Sequence, residues 1–446
     1  MMGERASAAA SGVWPEATAQ LFERVAAEVA ATEPQALAAR VQALVVEHDA
    51  WRHRSVNLLG ADGVMSRTAR SVLDSDMASR VFEGLPGDRD LSTGPAVAAR
   101  WCDEIEAAVV ALTQRLFHGP YVEWRATSTS MATAIALKSL CRPGDLVAVQ
   151  SMSAGANISY HPPGVIGVLG LRTVDLPRTP DFGIDMDGAA ATIRRTRPSC
   201  IVVGGTKVLF SYPLAALREL ADEVGAKLVF DAAHVGPFVY ARTFNDPLAE
   251  GADVLVTGTH KIMGGPVGGL IVSRDPEIAA RIEREVWPGF LQTRDQNKFA
   301  AAAIALAEMA AFGRDFAHAV LANGQALGEA LVARGARVVG AERGFTQTHQ
   351  VIADFGDPRA KELATRCSDA GLLMAYTNIF GEVRSNVAAS GVRMSVAQLT
   401  RLGMGPKEMV QIVDLVLRAE RGDPDVPHDV EALAGAHSTV RYSFDR

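Results

Sequence analysis

Cysteine is scarce in this chain, and long apolar runs are missing. Four cysteines occur among 446 residues, and no two of them form a CxxC pair. Their scatter disfavours a zinc site and a disulfide framework and favours a reducing compartment, so we expect a cytoplasmic protein without a bound metal. The sequence has no run of about 18 uncharged apolar residues, the length that a membrane span requires, and Met1–Val13 lacks the apolar centre of a signal peptide.

Charge of one sign does not predominate either. The chain has 44 lysines and arginines against 51 acidic residues, which gives a net charge of −7, and it has no basic tail. We therefore expect neither nucleic acid nor a membrane surface as a partner. Hydrophobic residues make up 48% and charged residues 21%, a balance typical of a globular protein with a substantial core.

Short apolar runs alternate with amphipathic stretches through the middle of the chain. Leu146–Val149 and Cys200–Val203 are typical of buried strands, whereas Met131–Leu140 and Leu214–Val224 are typical of helices. This alternation predicts an α/β fold whose mostly parallel sheet is covered by helices on both faces. We predict three parts: an N-terminal tail and helical arm over 1–54, a large domain over 55–315, and a small C-terminal α/β domain over 316–446.

Two of the predicted strands are followed by reactive side chains. One apolar run ends at Asp231, with His234 three residues further on, and another is followed by His260 and Lys261. Functional groups gather at the carboxyl ends of parallel strands, so we expect Asp231 and Lys261 at the same edge of the sheet. A lysine amine can hold pyridoxal phosphate (PLP) as a Schiff base, while a carboxylate keeps the pyridine nitrogen protonated. A helix N-cap and a solvated loop cation are the alternatives for these two residues, and their joint pattern favours PLP.

Two further motifs are typical of anion binding. Ser128, Thr129 and Ser130 precede a predicted helix, where hydroxyl and backbone N–H groups can bind a phosphate; a plain N-cap is the alternative. Arg393 interrupts the apolar run Gly391–Met394, and a buried guanidinium needs an anion. That anion is either a substrate carboxylate, bound through two parallel hydrogen bonds, or an internal acidic side chain.

In their order along the chain, these motifs resemble fold-type I PLP enzymes of the serine hydroxymethyltransferase group. The similarity extends from about residue 55 to about residue 420 and includes Asp231-Ala-Ala-His234, Thr259-His260-Lys261 and the turn Glu83-Gly-Leu-Pro-Gly87. It implies an aminotransferase-like large domain with a seven-stranded sheet. It also implies a homodimer with shared active sites, in which the Glu83–Arg89 turn reaches the partner.

The resemblance also implies a role for each candidate residue. These roles are Lys261 carrying PLP, Asp231 at the pyridine nitrogen, His234 and Thr206 near the ring oxygen, Ser128, Thr129 and Ser130 at the phosphate, and Arg393 at the substrate carboxylate.

The sequence departs from that group around the reacting atoms. Asp62 stands where the group has its catalytic glutamate, and the segment 151–157 contains no histidine to stack on the cofactor. The tyrosines around the Glu83 turn are replaced by Val81, Asp90 and Leu91. Folate-dependent hydroxymethyl transfer is therefore disfavoured.

A closer similarity is to the L-threonine transaldolase branch of natural-product pathways. It rests on Gly344–Gln350, Thr377–Ile379 and Tyr442–Asp445. This implies Cα–Cβ cleavage and formation in a β-hydroxy-α-amino acid with an aldehyde partner, which in antibiotic biosynthesis can be a nucleoside. Candidate bases for the β-hydroxyl proton are Asp62, His234, His260 and a bound water. A dioxygen-using monooxygenase-decarboxylase of a glycyl-nucleoside, a true serine hydroxymethyltransferase and a non-catalytic PLP-fold protein are the alternatives.

Overall fold

The computed structural model describes residues 13–80, 82–88, 100–379, 382 and 389–445. The chain divides into two compact units, Met1–Ser55 and Val56–Arg446. The predicted domain boundary at residue 315 falls inside one long helix and stays a prediction. Four residues used in the sequence comparison, Val81, Arg89, Asp90 and Leu91, lie outside the described residues.

The first unit consists of two helices, α1 (Glu16–Ala31) and α2 (Pro34–His53). Alanine and leucine favour helix here, and Pro34 begins α2 because the first helical position needs no amide donor.

The second unit contains the strands of the chain. Within the described residues these are β1 (Val56–Asn57), β2 (Tyr121–Glu123), β3 (Leu146–Gln150), β4 (Arg172–Leu176), β5 (Cys200–Gly204), β6 (Lys227–Asp231), β7 (Val254–Gly258), β8 (Gly269–Ser273), β9 (Arg337–Val338), β10 (Gln350–Asp354), β11 (Leu372–Leu373), β12 (Ala375–Thr377) and β13 (Gly391–Ser395).

The helices of this unit lie between and after the strands. In the described part of the unit they are α3 (Arg67–Ser71), α4 (Arg100–Phe117), α5 (Thr129–Leu140), α6 (Val165–Val168), α7 (Met186–Thr196), α8 (Leu214–Val224), α9 (Gly236–Ala241), α10 (Pro276–Glu285), α11 (Gln296–Ala333), α12 (Arg359–Asp369), α13 (Ala397–Arg401), α14 (Pro406–Glu420) and α15 (Val426–Ala436).

The main sheet has seven strands in the order β2-β8-β7-β6-β5-β3-β4. Strand β8 runs antiparallel to both of its neighbours, and the remaining pairs are parallel. Alternate residues of β5 enter different apolar cores: Ile201 and Val203 join one, and Val202 joins the other. Helix α8 contributes to the first core and α5 to the second. Both faces are therefore covered, as predicted for a mostly parallel sheet.

A second sheet has four antiparallel strands in the order β12-β13-β10-β9. From its apolar residues alone the run Leu372–Ala375 predicts a single strand, and that prediction is wrong. The segment forms two short strands, β11 and β12, that belong to different sheets. The chain changes sheets at Met374, and β11 pairs in parallel with β1 instead. No helix in the described residues combines the length and the apolarity that crossing a bilayer requires.

Candidate active site

Asp231 and Lys261 lie at the carboxyl ends of two neighbouring strands, as the sequence predicted. Asp231 is the last residue of β6, which pairs in parallel with β7, and Lys261 follows β7 by three residues. The backbone N–H of Ala233 donates to Asp231 Oδ1 at 2.9 Å. Burial raises the pKa of Asp231, and the Lys261 charge opposes that rise. Burial lowers the pKa of Lys261, which Asp231 opposes in turn, so the two groups stabilise each other's charged forms.

Two histidines extend inward from Lys261. Lys261 Nζ lies 3.3 Å from His234 Nε2, and His234 Nδ1 lies 3.1 Å from His349 Nε2. Both rings are buried. Burial, with Lys261 next in effect, lowers the pKa of His234 well below its ordinary value. Burial, helped by Arg393, lowers the pKa of His349 to about 3. Both imidazoles are therefore neutral at physiological pH.

The buried Tyr160 hydroxyl faces Asp231, a relationship that sequence reasoning missed. Burial raises the pKa of Tyr160 well above its ordinary value, and the adjacent Asp231 carboxylate adds to the rise. Thr133 Oγ1 lies 3.3 Å from the same hydroxyl. The interaction with Tyr160 also lowers the pKa of Asp231. Tyr160 follows segment 151–157 in a short 3-10 turn, and no local pattern marks it as a partner of Asp231.

The amino end of α5 has the properties of a phosphate site. Ser128 is the N-cap, and its Oγ accepts from Met131 N at 3.1 Å, so this hydroxyl fulfils the plainer of its two predicted roles. Thr129 Oγ1 and His260 Nδ1 are buried without a hydrogen-bond partner among the described residues. Both face Gly258, where an added Cβ would lie 2.5 Å from Thr129 Oγ1 and 3.1 Å from His260 Nδ1. Two unpaired polar atoms beside a helix amino end fit a bound anion.

Ser130, the third residue of the predicted phosphate motif, lies beside another hydroxyl. Its Oγ is 3.3 Å from Ser159 Oγ. It lies in the first turn of α5, next to Thr129. The three predicted residues are thus together, but their side chains differ: that of Ser128 caps the helix, that of Ser130 meets Ser159, and that of Thr129 has no partner in the described part of the chain.

Arg393 lies on β13 and reaches the loop after β5. Its Nη1 donates to the Thr206 carbonyl oxygen at 3.1 Å. Its Nε is buried and has no hydrogen-bond partner among the described residues. Burial lowers the pKa of Arg393. A buried guanidinium with an unused N–H fits a carboxylate ligand better than it fits a solvated surface position.

The glycine-flanked strip Gly60–Gly63 connects Arg393 with Lys261. A Cβ on Gly60 would lie 3.6 Å from His349 Cε1 and 3.7 Å from Arg393 Cζ, whereas one on Gly63 would lie only 1.9 Å from the Lys261 carbonyl oxygen. Gly63 therefore cannot carry a side chain without displacing Lys261. Asp62 belongs to this strip, and Asn57 Nδ2 donates to its Oδ2 at 3.2 Å.

Segment 151–157 packs against the loop that holds Thr206. The backbone N–H groups of Thr206 and Lys207 both donate to the Gly155 carbonyl oxygen, at 2.8 and 2.9 Å. Asn157 Oδ1 accepts from Ser159 N at 2.9 Å and caps the following turn. The nearby His161 uses its Nε2 with the Gln150 carbonyl oxygen at 3.3 Å.

Lys207 is a second buried lysine that sequence reasoning missed. Its Nζ donates to the Asn378 carbonyl oxygen at 3.1 Å and to Asn378 Oδ1, and it lies 4.8 Å from the centre of the Phe182 ring. Burial, helped by Arg393 and Arg178, lowers the pKa of Lys207 to about 7. A lysine directly after a glycine-rich turn was the only available signal in the sequence.

A family model described as serine hydroxymethyltransferase matches residues 36–416. The chain belongs to the serine hydroxymethyltransferase family. It is 33% identical over 420 residues to serine hydroxymethyltransferase of Methanosphaera stadtmanae, covering 92% of this chain and 96% of that protein. It is also 33% identical over 437 residues to alpha-methylserine aldolase of Variovorax paradoxus, covering 96% and 97%.

A solved structure confirms the family fold. L-Threonine transaldolase from Pseudomonas fluorescens, in its internal aldimine state, superimposes with a TM-score of 0.84 over 95% of this chain and 96% of that one, at 23% identity. Membership of the serine hydroxymethyltransferase family makes the protein a PLP-dependent transferase or lyase. The paired Asp231 and Lys261, together with the unpartnered atoms of Thr129 and His260, fit that cofactor.

Proposed function

We propose that this enzyme cleaves and forms the Cα–Cβ bond of a β-hydroxy-α-amino acid, as an aldolase or transaldolase. The observation that carries the proposal is the strip Gly60–Gly63, which passes from Arg393 to Lys261 and carries Asp62 between them. The backbone of this strip thus lies between the guanidinium of Arg393 and the backbone of Lys261, and Asp62 is one of its residues. The alpha-methylserine aldolase of Variovorax paradoxus, 33% identical to this chain, supports the same reaction class.

The cofactor supplies the electron sink, because bound PLP withdraws electrons from the substrate Cα. Lys261 would carry it, Asp231 would hold the proton of the pyridine nitrogen, and Thr206 would lie near the ring oxygen. Thr129 and His260 would supply donors to the phosphate at the amino end of α5, with Ser130 beside them. The phosphate assignment uses Thr129 Oγ1 and His260 Nδ1, two buried atoms that lack hydrogen-bond partners in the described residues.

Arg393 would bind the substrate carboxylate through its unused Nε and one terminal nitrogen. That contact fixes the orientation of the substrate about Cα, and so decides which bond of Cα is set for cleavage. Asp62 would accept the proton of the β-hydroxyl group as the Cα–Cβ bond breaks, and would return it when a new aldehyde is joined. Asn57 orients Asp62 for this through its amide.

The nearest competing reactions differ in what they consume. A true serine hydroxymethyltransferase requires tetrahydrofolate, and an oxidative decarboxylase requires dioxygen and releases CO2. The purified holoenzyme should therefore be incubated with L-threonine, L-serine and α-methylserine under nitrogen and without folate. We expect aldehyde release, and we expect exchange of the aldehyde portion when benzaldehyde is added.

The matched variants are Asp62→Asn and Asp295→Asn. Asp62→Asn should lower the rate of aldehyde release by about 100-fold, the lower range for loss of a general base. The variant should retain the PLP absorbance at about 420 nm. Asp295→Asn alters an exposed carboxylate that pairs with Lys298 and should leave the rate unchanged. A strict requirement for dioxygen or for folate would overturn the aldolase proposal.

The identity of the aldehyde, a nucleoside partner, a role in natural-product biosynthesis, a cytoplasmic location and a homodimer with shared sites stay predictions from the sequence.

A further inference from the structure

A chain of hydrogen bonds leads from the Thr206 carbonyl to Lys261 and fixes the position of each proton along it. Gln350 Nε2 lies 3.0 Å from the Thr206 carbonyl oxygen and 3.3 Å from His349 Nε2. A carbonyl oxygen only accepts hydrogen bonds, so the amide end at Thr206 is the NH2 group. An NH2 group only donates, so His349 Nε2 presents its lone pair to it.

The proton of His349 must then be on the other ring nitrogen. His349 Nδ1 lies 2.6 Å from Ser395 Oγ, and that oxygen also lies 3.3 Å from the Ala397 backbone nitrogen. Ser395 Oγ can accept both hydrogen bonds, because a hydroxyl oxygen has two lone pairs. The Nδ1–H form of His349 is thus satisfied at both nitrogens.

The proton position of His349 determines the tautomer of His234. Its Nδ1 lies 3.1 Å from His349 Nε2, and the two ring planes differ by only 6°. Because His349 Nε2 accepts, His234 Nδ1 must carry the proton, and Gln350 and His234 share the one acceptor. The neutral His234 therefore has its lone pair on Nε2, which lies 3.3 Å from Lys261 Nζ.

We propose that His349 is a positioning residue that holds His234 in the tautomer whose Nε2 accepts a proton from the Lys261 ammonium group. This inference rests on the proposed role of Lys261 and goes beyond it, since it concerns how the enzyme captures its cofactor. Without an acceptor at His349 Nε2, His234 would be free to adopt the Nε2–H form, and that form cannot accept the proton of Lys261.

His234 Nε2 takes one proton from Lys261, and the free amine adds to the aldehyde carbon of the cofactor. A proton shifts from nitrogen to the former carbonyl oxygen, and the imidazolium gives its proton to the resulting hydroxyl, which leaves as water. The products are the protonated Schiff base, water and neutral His234. The charged and titratable groups that face His234 are Lys261, His349, Arg393 and His260, and all four oppose its protonation, so the neutral form of His234 is favoured before and after the step.

The test measures the rate at which cofactor-free protein captures PLP. Stopped-flow absorbance at about 420 nm monitors this rate from pH 6 to pH 9. His349→Phe keeps a ring but removes the acceptor, and we expect capture at pH 7 to slow by about 100-fold, the lower range for loss of a general base. We also expect the pH midpoint of capture to move upward, because Lys261 must then lose its proton to solvent. His349→Gln offers an amide oxygen to His234 Nδ1 and should restore most of the rate.

His161→Phe is the matched control, because His161 is also buried and its ring contacts the Gln150 carbonyl rather than the Lys261 chain. It should capture PLP at the wild-type rate. If His349→Phe fails to fold, Ser395→Ala removes the Nδ1 acceptor instead and should slow capture while sparing the fold. Capture by His349→Phe at the wild-type rate, or equal rates for the Phe and Gln variants, would overturn the proposal.

Failure of this inference can be told apart from failure of the proposed function. Lys261→Ala should abolish the absorbance at about 420 nm, both alone and combined with the His349 substitutions. If Lys261→Ala keeps that band, the proposed role of Lys261 is wrong. If Lys261→Ala loses it but His349→Phe captures PLP normally, only the role of His349 is wrong.

Discussion

The Tyr160 hydroxyl faces the Asp231 carboxylate, and both side chains are buried. The carboxylate also accepts from the backbone N–H of Ala233 at 2.9 Å. The Lys261 charge, the Ala233 N–H and the Tyr160 hydroxyl, in that order, counter the rise that burial causes in the pKa of Asp231. Tyr160 therefore helps to keep Asp231 ionised, the state that a carboxylate needs in order to stabilise a protonated pyridine nitrogen.

The first prediction concerns this pair. Tyr160→Phe should weaken PLP binding by about tenfold. Loss of a hydrogen bond to a charged group costs about 1.5–3 kcal/mol, and rearrangement of the neighbouring groups offsets part of that cost. It should also change the pH dependence of the cofactor spectrum. Fluorescence titration and visible spectra measure both. Tyr212→Phe is the control, since that buried hydroxyl donates to the neutral Gln150 Oε1 at 3.2 Å. Equal effects of the two substitutions would contradict a specific role for Tyr160.

The second prediction separates substrate binding from cofactor binding. Arg393→Lys should raise KM for the amino acid by about 100-fold, because loss of one partner of a buried charged pair costs about 2–5 kcal/mol and lysine lacks the two-pronged geometry. PLP affinity should stay within about threefold of wild type, since the loss is confined to the substrate carboxylate. Steady-state kinetics and PLP titration provide the measurements. A loss of PLP affinity with an unchanged KM would place Arg393 at the cofactor instead.

The third prediction follows from Lys207, whose pKa burial lowers from 10.5 in the unfolded chain to about 7. Between these values the unfolded chain holds more protons than the folded one, so the free energy of unfolding increases as pH rises from 7 towards 10.5. The slope contributed by one such group is at most about 1.4 kcal/mol per pH unit. Urea unfolding at pH 7, 8 and 9 should show a smaller slope in Lys207→Met than in wild type, since the lowered pKa of Lys261 contributes to both.

Lys298→Met is the control for that series. Lys298 is a half-exposed lysine paired with Asp295, so its replacement should leave the slope intact. A wild-type slope that persists in Lys207→Met would assign the pH dependence to another group.

The fourth prediction concerns a buried ion pair between Arg401 and Glu308, 2.6 Å apart with side chains 2% and 0% exposed. Glu308 also accepts from the backbone N–H of Phe444, which holds the C-terminal segment. Glu308→Gln should lower the free energy of unfolding by about 3–5 kcal/mol, because it leaves a buried guanidinium without its counter-ion. The double variant Arg401→Met, Glu308→Leu should lose less free energy of unfolding than the sum of the losses of Arg401→Met and Glu308→Leu made singly. Additive losses in urea unfolding would show that the pair is not coupled.

The candidate site was predictable where reactive side chains follow the ends of predicted strands. Asp231 and Lys261 each follow an apolar run, and neighbouring parallel strands place such residues at one edge whatever the rest of the fold does. Arg393 was predictable because a single cation in an apolar strand needs a partner. By contrast, the pairing of His234 with His349 joins residues that are 115 positions apart, and no local pattern records such a contact.

The residues themselves indicated the cofactor, because PLP chemistry demands a lysine and a carboxylate in fixed relation to two strands, and the local sequence offers Asp231 and Lys261 beside two strand ends. Only the tertiary structure decided what surrounds them. Packing of separate segments placed Tyr160 against Asp231, His349 against His234, and the backbone of Gly60 and Gly63 against Arg393 and Lys261. Such contacts depend on how the sheets and loops close on one another, which no local stretch of sequence records.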